Sequence, residues 1–302
     1  MKSIDSTVVE IKNFSGVSLM KTFFKKDSVK LVLTYIFLSL FGLLMVYPLI
    51  WLFLASFKPN DEIFGSLRLL PTRVIWDSYI RGWEGTGQFS FSLFFINTFK
   101  MVIPTVFFTL VSSTLVAYGF ARFKFPLKNI LFVLMLSTLM LPNAVIIIPR
   151  YILFKNFNWL NSYLPFIVPA IFACGPFFIF MLVQFFRNLP VELDESAIID
   201  GCNSFTVLIK ILLPLSKPAL FSAGIFQFMW TWNDFFNSLI YVNSVKKYTV
   251  ALGLRMSLDN VSTVNWNQVM AMSILAIIPC VLIFFIAQKY FVEGIATTGI
   301  KG

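Results

Sequence analysis

Few residues in this chain could do covalent chemistry, and their types settle several questions. There is no histidine among the 302 residues, so a Ser-His-Asp or Cys-His nucleophilic site is excluded outright. The three cysteines, Cys174, Cys202 and Cys280, lie far apart without metal-ligand or redox spacing, and read as small, reduced core residues. No GxxxxGK[ST] phosphate loop occurs, so the chain cannot itself supply the hydrolysis of a nucleoside triphosphate. What remains is polar chemistry of two kinds. One is an acidic run, Glu192, Asp194 and Glu195, between Arg187 and Pro218. The other is a thin set of polar residues inside long apolar stretches: Asn97, Gln227, Asn233 and Asp234. A charge at the centre of a bilayer costs about 2.5–3.5 kcal/mol on insertion scales, so Asp234 must face a cavity or find a partner. Two readings stand for it: polarity or ligand contact along a pore, or a helix-capping or inter-helix hydrogen bond shared with Asn233. Asn97 and Gln227 carry the same two readings.

The elements that position these residues are apolar helices. Hydrophobic residues make up 58% of the chain and charged residues 13%, too few to coat a soluble fold of this length. The charges also fall in short blocks between long uncharged stretches, which marks a membrane protein. Six spans are expected, over Leu31–Leu54, Leu93–Phe120, Leu127–Ile148, Tyr163–Phe185, Ala219–Val242 and Val269–Ala287, giving an all-α polytopic membrane fold. Pro104, Pro142, Pro176 and Pro279 read as kinks, because neighbouring helices and waters can satisfy the carbonyls they free. Trp51, Trp159, Tyr163, Trp230, Trp232 and Tyr290 lie towards span ends, as interfacial anchors do. The first apolar run leads to Trp51 rather than to a small-residue cleavage site, so it is expected to remain as an anchor.

The net charge of +10 raises the question of nucleic acid. The largest basic cluster, Lys21, Lys25, Lys26 and Lys30, sits directly before an apolar span. That is where the positive-inside rule places cytoplasmic charge, not the solvated face a nucleic-acid binder needs. The short turn from Arg122 to Lys128 is purely basic and points the same way. Both termini are therefore expected in the cytoplasm. Lipid, not nucleic acid, is the expected environment. Residues 1–30 are expected to form a cytoplasmic tail and residues 31–302 one transmembrane domain, with two long external segments, Lys58–Ser92 and Asn243–Gln268, that could dock an extracytoplasmic partner or simply connect the spans.

The cytoplasmic segment from Arg187 to Pro218 is far longer than a turn between two spans requires. Asn188 is suited to capping a helix with Pro190 in its first turn. Glu192, Asp194 and Glu195 near that N-terminus suit the helix dipole. Leu193, Ala197 and Gly201 follow at i, i+4 spacing and give a narrow, smooth face. Gly201 is placed to end the helix in the left-handed conformation. Ser204 then caps a second short helix, which Pro214 stops. A helix lying on the membrane would carry Lys and Arg on its polar face. This one is acidic, which favours the groove of a protein partner.

Glu195-Ser196-Ala197, Gly201, Ile211 and Leu213-Pro214 together resemble the EAA loop of ABC importer permeases: Glu-Ala-Ala, three residues, Gly, nine residues, Ile, one residue, Leu-Pro. Ser196 is the one departure. Further stretches resemble the carbohydrate permeases of the maltose type, in particular the MalG-like subunit. They are Asn97-Thr98, Ala117-Tyr118, Ala121 to Pro126, Leu141-Pro142, Ile148-Pro149, Gln184 to Arg187, Trp232 to Phe235, and Tyr290 to the C-terminal Lys301-Gly302. The resemblance implies a multi-pass subunit of the bacterial inner membrane that pairs with a second, similar permease and two cytoplasmic ATPase subunits. An extracytoplasmic solute-binding protein would deliver a sugar or oligosaccharide. ATP and magnesium would sit on the ATPase subunits, with no cofactor on this chain, and the loop would dock in a cleft of the ATPase as a coupling helix. A non-sugar solute such as a glycerol phosphoester is the alternative cargo. An ion-coupled secondary transporter would need more intramembrane charge than one acid.

Overall fold

The computed structural model describes residues 16–66, 68–85, 88–259 and 264–299, with side chains from residue 30 to residue 288. Residues 1–15 of the expected tail and the closing Lys301-Gly302 lie outside them, as does the side chain of Tyr290. The described residues are mostly helical and contain no β-strand. The chain divides after Leu54 into two compact units. Among the described residues the first consists of the helix α1, Gly16–Ala55, apart from its last residue. Its stretch from Lys30 to Ala55 is long and apolar enough to cross a membrane, and its helical backbone runs back through the basic cluster that the sequence assigns to the tail.

The second unit begins with two short helices, α2 (Asn60–Gly65) and α3 (Asp77–Glu84). The long helix α4 (Phe91–Arg122) follows, then α5 (Lys128–Ser137) with a 3₁₀ turn to Met140, and α6 (Asn143–Asn156). Next come α7 (Leu164–Ile171), α8 (Pro176–Asn188) and α9 (Glu192–Ile199). A composite of α10 (Ser204–Val207), a π turn (Leu208–Leu212) and α11 (Leu213–Leu215) leads to α12 (Lys217–Trp232). Then α13 (Phe235–Tyr241), α14 (Val250–Leu258) and α15 (Trp266–Gly299) complete the unit.

Four stretches can cross a membrane by length and composition: Lys30–Ala55, Phe91–Arg122, Leu164–Asn188 and Trp266–Gln288. Two bent helix pairs bring the number to six. The third expected span is not a mildly kinked helix: α5 and α6 meet at 103°. Leu141 and Pro142 are extended at that junction, since the residue before a proline disfavours the helical region and the proline has no N–H to continue the ladder. The fifth span is also shorter than the sequence suggests. It stops at Trp232, and the chain re-enters a helix only at Phe235. At 1.5 Å per residue α12 is about 24 Å long, short of the roughly 30 Å hydrocarbon core, and it is long and apolar enough to cross only together with the preceding Ser204–Leu215 stretch.

The core of this unit is built around α4, whose buried face is rich in small hydroxyl residues: Thr98, Thr105, Thr109, Ser112, Ser113 and Thr114. Such residues let helices approach closely in a membrane bundle. Thr98 and Thr105 return their hydroxyls to the carbonyls of Phe94 and Met101 one turn back, and Ser112 donates to the carbonyl of Ala170 on α7 at 2.6 Å. Gly253 brings α14 down onto Phe94, where a Cβ would lie 2.3 Å from the ring. Trp232 is no interfacial anchor. It is 4% exposed, packs on Phe228 and Phe99, and donates its indole N–H to Ala276 O at 3.1 Å.

Candidate coupling site

The loop between α8 and α12 is a folded module. Asn188 is the last residue of α8 and does not cap α9, whose N-cap is Val191 with no side-chain bond. The end of α9 follows the expected chemistry. Gly201 takes φ +82°, its N–H bonds Ile198 O at 3.0 Å, and the Cys202 N–H bonds Ala197 O at 2.9 Å. These paired bonds are a Schellman closure, with Gly201 at the left-handed position. The next helix is capped by Asn203, whose Oδ1 accepts from Thr206 N at 2.8 Å, so Ser204 is its first residue and not its cap. Pro214 does not stop it. The turn before it widens to a π turn over Leu208–Leu212, which makes room for the ring and the missing N–H. The helix ends at Leu215, and α12 sets off at 79° with Pro218 in its first turn.

The module is fastened to the ends of α4 and α8. Ala197, Val207, Leu208 and Leu212 share one buried cluster with Ala117, Tyr118, Leu182, Val183 and Phe186. Ile211 and Leu213 pack against its edge. The Tyr118 hydroxyl donates to Ser204 O at 3.0 Å. Arg122, the last residue of α4, places Nε 2.7 Å from Asp194 Oδ2, with side-chain exposures of 8% and 11%. The same guanidinium donates to Leu189 O, the residue after α8, at 3.0 Å. Burial pushes the Asp194 carboxyl above its ordinary range, and the Arg122 guanidinium opposes that shift.

This orientation corrects part of the sequence reading. Ala197 does not offer its small side chain to a partner but turns it into the chain's own core, and Asp194 faces the same way. The outward face carries Glu195, Ser196, Ile198 and Ile199, the last 85% exposed. Sequence reasoning missed Arg122, Asp194 and Tyr118. The available signal was the three-residue spacing of Asp194 and Ala197, which puts them on one helix face. An acid beside an alanine on a buried face needs a cation, and the basic turn after α4 supplies one.

The four polar residues in the apolar stretches fall at different places. Asn97 is 5% exposed and donates both amide hydrogens to loop carbonyls, Lys246 O at 2.9 Å and Tyr248 O at 3.0 Å. Beside it, Thr98 accepts from Val250 N at 2.8 Å. Asn161 and Tyr163 hold the same connection through Ser244 N and Lys247 O. Gln227 bonds Thr231 within α12, and Asn233 bonds back to Met229 O. Asp234 is the N-cap of α13, accepting from Asn237 N at 3.1 Å and from the Asn237 amide. It lies in the break between α12 and α13, not inside a helix. Asp234 borders a cavity of about 430 Å³ lined also by Arg150, Trp159, Phe166 and Tyr241. A second cavity of about 550 Å³ has Asn233, Asp234 and Trp230 in its wall. Asn97 lines neither.

Residues 113–297 match the family described as binding-protein-dependent transport system inner membrane component. A probable ABC transporter permease protein, YurM of Bacillus subtilis, is 32% identical over 89% of this chain and 88% of its own length. The arabinooligosaccharides transport system permease protein AraQ of the same organism is 33% identical over 90% of this chain and 96% of its own. The sn-glycerol-3-phosphate transport system permease protein UgpE of Yersinia pestis is 32% identical over 87% and 95%. Among solved structures, a chain of a bacterial ABC transporter involved in import of the acidic polysaccharide alginate superposes with TM-score 0.78 at 20% identity, over 88% of this chain and 98% of that one. That likeness shows the fold. Matched in sequence over residues 113–297, a stretch that includes the folded loop between α8 and α12, the chain belongs to the inner membrane components of binding-protein-dependent ABC transport systems.

Proposed function

We propose that this chain is one of two pore-forming permease subunits of an ATP-driven carbohydrate importer, and that the loop between α8 and α12 is its coupling element. The observation that carries this reading is the two-sided construction of α9. Its outer face, with Glu195, Ser196, Ile198 and Ile199, is open to a partner, while Ala197 and Asp194 bind it to α4 and α8. Gly201 closes the helix, and Ile211, Leu213 and Pro214 seat the following turn. In this reading two cytoplasmic ATPase subunits hold the ATP and magnesium, and this chain binds no cofactor. Their closure draws α9 and its counterpart on a second, homologous permease together, and the bundle turns outward to receive solute from an extracytoplasmic binding protein. ATP must favour that state by several kcal/mol to shift the population substantially.

Carbohydrate is the cargo suggested by the arabinooligosaccharide relatives. A glycerol phosphoester is the second reading, favoured by the glycerol-3-phosphate relative of similar identity. Asp234, which lines both cavities, and Asn233, which lines the second, are the polar groups best placed to meet solute. Gln227 and Asn97 line neither cavity. Both termini lie in the cytoplasm in this scheme.

The test is to purify the chain with its partners, identify the co-purifying solute, and reconstitute uptake. Uptake is expected to need ATP, the binding protein and the second permease. Solute movement by the single chain in liposomes would sink the reading. External thiol labelling should reach Ser66→Cys and not Asn129→Cys; the reverse pattern overturns the orientation.

A further inference from the structure

The contact between Arg122 and Asp194 joins residues 72 positions apart, and it sits where α4, α8 and α9 meet. Three features set it apart from an ordinary ion pair. It is buried on both sides. Its guanidinium also takes up the Leu189 carbonyl, a group left without a partner by the end of α8. And Asp194 Oδ1 and Arg122 Nε are both buried without a hydrogen bond, so the 2.7 Å contact is held by charge and the carboxylate depends on Arg122 for neutralisation. A pair of this kind is weak evidence for stability, because well-packed apolar residues often serve as well. What it supplies that they do not is a fixed geometry among three elements.

We propose that Arg122 is a positioning residue of the coupling step: by holding Asp194 and the Leu189 carbonyl together, it makes α9 and the adjoining ends of α4 and α8 one lever. Displacement of α9 then reaches the bundle without slip. Apolar contacts such as those of the cluster around Ala197 allow sliding, whereas a guanidinium held at once by the Asp194 charge and by its bonds to the Leu189 and Pro190 carbonyls has far fewer arrangements. This inference rests on the reading of α9 as the docking helix.

The experiment uses the reconstituted complex with its ATPases, partner permease and binding protein, and compares wild type with Arg122→Lys, Arg122→Met and Arg122→Met/Asp194→Leu. Subunit retention, thermal stability, ATP hydrolysis and uptake are measured for each. Arg122→Met leaves a buried carboxylate alone and is expected to lower stability. The double variant removes that charge and is expected to recover stability and ATPase retention. Its uptake per ATP hydrolysed should still fall, by about tenfold, because the lever has lost its fixed geometry. Arg122→Lys keeps the charge without the planar guanidinium that also meets the Leu189 carbonyl, and should recover part of the coupling. A double variant that regains full uptake per ATP overturns the proposal, since the pair would then be only structural. Wild-type coupling in a stable Arg122→Met does the same. Cross-linking from Ile199→Cys to the ATPase separates this from the underlying reading. If the cross-link fails in the otherwise wild-type complex, α9 is not the docking helix and both fall. If it forms while the double variant stays coupled, only the role of Arg122 falls.

Discussion

Gly201 gives the sharpest test of the loop, because its geometry separates two reasons for needing glycine. Its φ of +82° lies in the left-handed region, and a Cβ built there meets nothing within 4 Å in this chain. Within the chain, then, the cost of a side chain is conformational and not steric. An L-residue held in that region loses roughly 1–2 kcal/mol. Since 1.4 kcal/mol is a factor of ten, Gly201→Ala should open the Schellman closure about tenfold more often, and Gly201→Val more again because of its β-branch. Asparagine tolerates the left-handed region, so Gly201→Asn should be nearly silent if backbone conformation is the whole requirement. It should fail alongside valine if the ATPase approaches the Cα closely. The assay is the reconstituted complex, read for ATPase retention, hydrolysis and uptake, with amide exchange at Cys202 reporting the closure. Wild-type uptake with full ATPase retention in Gly201→Val would remove the loop from the mechanism as drawn.

Glu195→Ala, on the outward face, should weaken ATPase docking by about 1–3 kcal/mol if it makes a charged hydrogen bond there; unchanged retention would show that the acid makes no such contact. Asp234→Asn preserves an N-cap acceptor, so it should leave thermal stability unchanged. Normal uptake by this variant would make the residue a cap only, and lost uptake in an intact complex would place the carboxylate on the solute path. Asn97→Ala removes two hydrogen bonds to the connection before α14 and should cost about 2 kcal/mol, seen as a lower unfolding temperature in detergent; an unchanged temperature would refute the structural role given to it.

Much of this architecture was legible because bilayer and backbone impose the same demands on any sequence. Apolar length marks the spans, and Gly201 at its place in the loop marks a helix end. What was not legible depended on contacts distant in sequence. Asp194 looks like one more acid in an acidic helix until Arg122 is seen against it, and Ala197 looks like an open surface until it is found buried in the cluster it shares with residues of α4 and α8. The prolines misled in both directions. Pro142 does far more than kink, because Leu141 before it also leaves the helix, whereas Pro214 ends nothing, because the π turn absorbs it. Asp234 seemed to be an acid within a span because the break at Asn233 carries no proline or glycine. It is revealed by the capping of Asn237, a local pattern readable only once a helix start is suspected there.

The polar face of α4 explains how one element can serve both ends of the molecule. Thr98, Thr105 and Ser112 give their hydroxyls to carbonyls, so the helix buries polar groups at little cost while its narrow side chains admit α7, α8 and α12 closely. From Asn97 to Arg122 it spans about 38 Å. At its first end Asn97 and Thr98 hold the connection running from α13 to α14. At its last end Tyr118 and Arg122 hold the loop that carries α9. The loop that carries α9 and the connection before α14 are therefore both tied to the same helix.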